Sequence, residues 1–238
     1  MPFVVVDTSV ALPATLSPTG LARKFFVLLA YGGTSYEVEH GQLELDELAK
    51  EAEASGGQVR GLQHAENQRI LAADRRAALE EMLPYGTPDD WVAVGSAPLF
   101  DEYERKLREI GARIDPTLRE EDVPKLRHQI EAICAAGSPP FDPMHAPALT
   151  RDPNDDAIVY TALLGDADLL VSDDRHTVPN GVEHHYEHEG RSVVALTFHE
   201  LMESRLGPLG IDFDQIDGSW LRLAYAAMGS GPGPTEPA

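Results

Sequence analysis

Four short apolar runs punctuate the chain, and each gives way to a polar residue able to start a helix. Phe3-Val4-Val5-Val6 is followed by Asp7-Thr8-Ser9, and Trp91-Val92-Ala93-Val94 leads to Ser96. Asp168-Leu169-Leu170-Val171-Ser172 runs into Asp173-Asp174, and Val193-Val194-Ala195-Leu196 into Thr197. Runs this short and this continuously apolar read as strands of a parallel sheet covered on both faces.

Between these runs the period turns helical. The best-marked helix spans Asn154 to Leu164, with Ile158, Ala162 and Leu163 on one face. Asp152 can cap it, Pro153 suits the first helical position, Asp155 falls where a capping box puts its acid, and Gly165 stops it. A helix over Leu21–Tyr31 takes Leu21, Phe25, Leu28 and Leu29 as its apolar face, with Arg23 and Lys24 on the polar side and Gly32-Gly33 as its stop. Ser96 starts another, a further one runs from Arg119 to Ala136, and Thr197 caps one reaching Leu206. Trp220 to Met228 suggests a last short helix, before a Gly/Pro-rich tail from Gly229 that reads as disordered.

Residues 35–90 interrupt this alternation with two helical patterns, Leu43–Ala54 and Gln63–Leu83, joined by Ser55-Gly56-Gly57. Ile70, Leu71, Ala78, Leu79 and Leu83 make a stripe on the second. The expectation is a helical hairpin packed on the domain or on a second subunit, or else a lid over a groove.

Composition narrows the picture. The chain has 238 residues, enough for a full core and long for one minimal α/β domain. A net charge of −21 argues against a protein that coats nucleic acid, but not against a nuclease with a local basic strip. The lone Cys134 can form no internal disulfide, which suits a reducing compartment and a core thiol. Phe25–Ala30, among the longest apolar runs, is far short of a membrane span, so a cytoplasmic protein without a membrane partner is expected.

An open parallel sheet gathers the residues that follow its strands at one edge, and ligands bind there. Asp7 and Asp173-Asp174 would lie at that edge, with Asp155 on the first turn of one helix and Asp101, Glu102 and Glu104 on early turns of another. Arg105, Lys106, Arg108, Arg119, Lys125 and Arg127 form the densest basic region, as phosphate contacts or as a solvated face of ordinary ion pairs. His184 and His188 have zinc-ligand spacing if helical. Gly181 and Gly190 leave room for only a turn or two, so a polar loop is expected.

Taken together, VVVDTS, SAPLFDEYERKL, DPNDDAIVYTALLGDADLLVSDD and ALTFHELMESRLG resemble a PIN domain, a metal-dependent nuclease fold. The resemblance covers residues 1–30 and 92–206. It implies an α/β fold, a three-layer α/β/α sandwich with a central, mainly parallel sheet, here carrying the helical insertion at about 35–90. The domain would span 1–206, and 207–238 would be a C-terminal extension.

By position, the family's four acids are Asp7, Glu102, Asp155 and Asp174, with Asp173 a further candidate. Asp173 stands where the family often has a small residue, and His176 where many members carry another Asp. Thr8, Ser9 and Ser172 would support the ligands, and Arg105, Lys106 and Arg108 would meet substrate phosphate.

Each acid alone has an ordinary explanation as a cap, a helix-dipole partner or a loop residue. Gathered together they repel one another without a cation, and a hard divalent ion, Mg²⁺ or Mn²⁺, resolves that. The implied activity is a divalent-metal-dependent endoribonuclease on single-stranded RNA. Family habit adds a toxin role with a small antitoxin partner, and a homodimer. The alternative is a catalytically inactive PIN-like module that binds protein or RNA. Other aspartate-led folds fit less well. Ser9 replaces the second Asp of a haloacid-dehalogenase-type phosphatase, and the glycine patterns of P-loop and dinucleotide folds are missing.

Overall fold

A computed structural model describes residues 1–17, 20–55, 61–80 and 90–216. In chain order the main elements are β1 (Phe3–Val6), α1 (Thr8–Leu16), α2 (Leu21–Ser55), α3 (Leu62–Glu80), β2 (Val92–Gly95) and α4 (Ala97–Ile114). They continue with α5 (Val123–Ile133), β3 (Ala136–Gly137), α6 (Pro153–Leu164), β4 (Leu169–Val171), β5 (His184–His188), β6 (Arg191–Leu196) and α7 (Phe198–Leu201). The fold is α/β. Its six-stranded sheet has the order β3-β2-β1-β4-β6-β5, parallel throughout except for the antiparallel edge strand β5.

Alternation along each strand sorts side chains into two cores, one on each face of the sheet. Val4, Val6, Leu169 and Val171 join Phe25, Leu29, Leu107 and Leu201 on one face. Val5, Leu170, Val94 and Ala195 join Ile158, Ala162 and Leu163 of α6 on the other. No helix among the described residues is long and apolar enough to cross a membrane.

The strand order places a topological switch at the centre. From β1 the chain builds outward through β2 and β3, then returns through α6 to lay β4 against β1's other side. A crevice outside the strand ends opens at such a point.

Several expectations change. Gly32-Gly33 does not stop α2, which runs on to Ser55. A Cβ on Gly32 would lie 2.0 Å from the Trp91 carbonyl oxygen, so the glycine serves a close approach of helix to strand rather than a helix end. Leu21 is 48% exposed and leaves the apolar face to Phe25, Leu28 and Leu29. Arg23 is buried, and its guanidinium donates to the carbonyls of Ala14, Thr15 and Ser17 at the end of α1. The residues 184–188, expected as a loop, form β5. A two-residue turn at Glu189 (φ 50°) and Gly190 (φ 78°) pairs that strand with β6. His184 and His188 are therefore about 13 Å apart along a strand, not neighbours on a helix.

The helical hairpin of α2 and α3 is present. Ala65, Ala72 and Leu79 form its seam, while Ile70 and Leu71 of the expected stripe face solvent. Tyr36 packs edge-on against Phe3 at the start of β1, with ring centroids 5.6 Å apart. Beyond Tyr36 the hairpin thus leaves the domain at the amino edge of the sheet. That is the end opposite the carboxylates, so a lid over them has no support.

The described part of the extension, residues 207–216, packs on the domain. Phe213 and Ile216 are buried in the core, and Lys24 Nζ donates to the Phe213 carbonyl at 2.5 Å. Leu83, the 56–57 link, the helix expected at 220–228 and the Gly/Pro-rich tail lie outside the described residues.

Candidate active site

Asp7 follows β1 directly, and its backbone amide donates to Val171 O of β4 at 2.9 Å. Its own carbonyl accepts the amides of Val10 and Ala11, so the main chain starts α1. The side chain does not cap that helix. Instead it is only 2% exposed and accepts three hydroxyls: Thr8 at 3.1 Å on Oδ1, and Ser9 at 2.7 Å and Ser172 at 2.5 Å on Oδ2. A buried carboxylate with three donors is oriented in advance of any ligand.

The same two serines hold the turn after β4. Ser172 Oγ accepts the Asp174 amide at 3.0 Å, and Ser9 Oγ accepts the Asp173 amide at 3.0 Å. Asp174 Oδ1 accepts the amide of His176 at 2.7 Å. Asp173 has a different task, since its Oδ1 accepts the Phe198 amide and satisfies the start of α7.

On α6 the neighbouring acids divide the work. Asp152 caps the helix through the Asn154 amide at 3.0 Å. Asp156 is buried and clamps the preceding loop, accepting the amides of Leu149 at 2.9 Å and Thr150 at 2.6 Å. Asp155 does not close the expected capping box, because the Asp152 amide goes to Thr150 Oγ1 at 3.2 Å. It is left for the site. Its Oδ2 is buried and has no hydrogen-bond partner. Its pKa is pushed up to about 7, first by burial and then by the charges of Asp174, Asp7, Asp152 and Glu102.

Glu102 arrives on α4, whose start is fixed to α6 by a buried bond between Ser96 Oγ and Thr161 Oγ1, 2.7 Å long. Ser96 Oγ also caps α4 through the Leu99 amide. Glu102 turns both oxygens to Arg105, with Arg105 Nη2 2.7 Å from each, and Lys106 Nζ lies 3.9 Å away. The four acids chosen from the sequence therefore share one electrostatic field, yet they are not drawn together to ligand distance. No group of three or more His, Cys, Asp or Glu is arranged to hold a metal ion among the described residues. The donor chemistry still suits a hard cation: carboxylate oxygens, one of them buried and unpartnered.

The basic strip resolves into ion pairs. Arg105 also binds Glu109, Arg108 lies 2.7 Å from both Glu104 and Glu120, and Arg127 joins Asp101, Glu104 and Glu131. Some of these pairs lie along one helix face at i,i+4, and others, Arg108–Glu120, Arg127–Asp101 and Arg127–Glu104, tie α4 to the 120–127 segment, so each of these guanidiniums already has carboxylate partners.

One feature was missed because a Pro-rich stretch gives no periodic signal. A cleft of about 410 Å³ lies between α4 and the start of α6, with Glu102 in its wall. Pro98, Pro143, Met144, Ala146 and Ala157 supply much of its wall. No protein-family model, no curated protein and no solved structure matches the chain.

Proposed function

We propose that the chain is a divalent-metal-dependent nuclease of the PIN-domain type, cutting single-stranded RNA. The observation that carries this reading is the state of Asp155. Burial first, and then the charges of Asp174, Asp7, Asp152 and Glu102, push the Asp155 carboxyl up to about 7, and Asp7, Glu102 and Asp174 reach it from three other stretches of the chain. Structural acids are usually each paired off, whereas perturbed ones in a cleft mark functional sites.

On this reading Asp7, Asp155 and Asp174 would hold Mg²⁺ or Mn²⁺, with Glu102 joining once it leaves Arg105. The bound ion would supply a more acidic water and charge stabilisation for the leaving oxygen. The chain's own residues do the rest. Thr8, Ser9 and Ser172 keep Asp7 in one orientation. Asp155 Oδ2, buried and without a hydrogen-bond partner, is left free to face the cation or a water that it holds. The fine form of the fold, a three-layer PIN sandwich, belongs to the same proposal. So do the homodimer, a small antitoxin partner and a cytoplasmic setting, all drawn from the resemblance alone.

A second reading, a PIN-like binding module without catalysis, is favoured by one observation: Glu102 spends both oxygens on Arg105. Calorimetry with Mn²⁺ and Mg²⁺, alongside cleavage of mixed single-stranded RNA and DNA, separates the two. The nuclease reading expects metal binding and cutting by the wild type, and neither by a folded Asp7→Asn variant. A folded wild type that binds no metal and cuts nothing refutes it.

A further inference from the structure

We propose that the cleft between α4 and α6 is a subsite for one unstacked, uncharged nucleobase of the single-stranded substrate. This rests on the nuclease reading and adds where the chain grips a base beside the bond it would cut.

Position is the first argument. Glu102 forms part of the cleft wall and is one of the charges felt by Asp155. Pro153, Asn154, Asp156 and Ala157 of α6 line the same cleft on either side of Asp155 in sequence. A nucleotide whose phosphate lay at the carboxylates would have its neighbouring base within reach of this wall.

Charge is the second. The acids Asp101, Glu102 and Asp156 line the cleft, Asp156 being held by the Leu149 and Thr150 amides, and the lining cation among the described residues is Arg105. Arg105 is engaged by Glu102 and Glu109, and Asp101 lies 2.8 Å from Arg127. A phosphate would meet acids and no spare cation, and a cationic side chain would meet acids already paired. A neutral, flat group suits the remaining Pro, Met and Ala surface, and Asn154, whose Nδ2 donates to Asp152 Oδ1 at 2.9 Å, lines the same cleft.

Preorganisation is the third. The loop before α6 is pinned to that helix at both ends. Phe141 packs edge-on against Tyr160 at 5.0 Å, and Asp156 holds the amides of Leu149 and Thr150. Between these pins, Asp142 caps the short turn Pro143–His145 through the Met144 amide at 3.0 Å. Met144 at its apex is 88% exposed, the most exposed large apolar side chain among the described residues, and it stands on the cleft rim. A rigid loop that offers a soft, polarizable side chain to solvent beside an apolar cleft is built for contact with a flat partner.

The test is equilibrium binding of a labelled short single-stranded RNA to the full chain in EDTA, read by fluorescence anisotropy. A single abasic position is walked along the RNA. Met144→Asp alters a side chain that is 88% exposed, and Ala157→Trp fills the cleft from the half-buried face of α6. The expected result is one abasic position that weakens binding about fivefold or more, the low end of what one stacked base contributes. Each variant should weaken the intact RNA by a similar factor and should leave the abasic RNA unchanged. If RNA is bound and cut but neither base removal nor either variant changes Kd or KM, the subsite is refuted and the nuclease reading stands. If the wild type neither binds nor cuts RNA, the nuclease reading fails and the subsite with it.

Discussion

Ser172 Oγ donates to Asp7 Oδ2 at 2.5 Å while it accepts the amide of Asp174 at 3.0 Å, so one buried hydroxyl ties the end of β1 to the turn after β4. Removing it leaves the Asp174 amide without its acceptor and Asp7 with one donor fewer. Ser172→Ala should cost about 1–3 kcal/mol, as a buried polar group loses its partner. Ser9→Ala should cost less, because its site is only partly buried and water can replace the hydroxyl. Urea denaturation checks both. The midpoint should fall without a change of slope, and a Ser172→Ala midpoint equal to wild type would show the hydroxyl to be dispensable.

Asp155 makes stability depend on pH in a definite direction. Its folded pKa, about 7, lies above the unfolded value near 3.9, so the folded state holds the proton more tightly. The stability this contributes is complete below about pH 3.9 and is lost as pH rises through 7. Asp155→Asn should therefore match wild type near pH 4 and exceed it above pH 7. The gain should be on the order of 1–2 kcal/mol once screening at a half-open site is discounted. Added Mn²⁺ should stabilise wild type increasingly as pH rises, and the Asn variant much less. Melting curves from pH 4 to 8 check the sign, and a wild type whose advantage grows with pH would contradict it.

Much of this arrangement is written locally in the chain. The runs at Val4, Val92, Leu170 and Val194 are strands because they are apolar on both faces, and Ser96, Asp152 and Thr197 cap as their side chains allow. What escaped depends on distant partners. Gly32 looks like a helix stop until Trp91 is set against it. The polar residues of β5 hide a strand whose inward position is Tyr186, hydrogen-bonded to the Thr177 carbonyl at 2.8 Å. The signal available was Glu189-Gly190 between two short runs, a hairpin turn that outweighs composition. Asp7 and Asp174 could be chosen from strand ends alone. That Asp156 clamps a loop while Asp155 stays unpartnered could not, because both acids sit on the same helical turn.

Gly32 offers a test of that long-range reading. In an exposed helix, Gly→Ala stabilises by about 1 kcal/mol through backbone entropy. Here the added methyl would meet the Trp91 carbonyl oxygen at 2.0 Å and its backbone nitrogen at 2.7 Å. Backbone cannot rotate aside as a side chain can, so α2 and β2 must separate. Gly32→Ala should destabilise by about 2–3 kcal/mol, the upper part of the range for overpacked cores. Thermal unfolding decides between the two signs, and a rise in Tm would mean that α2 can withdraw from the strand at little cost.

Arg105 separates two meanings of a basic residue beside an acidic site. As a phosphate contact, its loss would weaken RNA binding and flatten the salt dependence by about one unit. As the partner of Glu102, its loss would free both oxygens of a carboxylate that the proposed metal site needs. The geometry favours the second, since the guanidinium is shared between Glu102 and Glu109 and is itself half-exposed. An exposed pair of this kind is worth about 0.2–1 kcal/mol, which sets the competition with a cation. Arg105→Ala should therefore bind Mn²⁺ up to about fivefold more tightly, with the salt slope of RNA binding in EDTA unchanged. Calorimetry against Mn²⁺ and anisotropy over a salt series measure the two effects separately. Weaker RNA binding with unchanged Mn²⁺ affinity would return Arg105 to the phosphate role and leave Glu102 a helix-face acid.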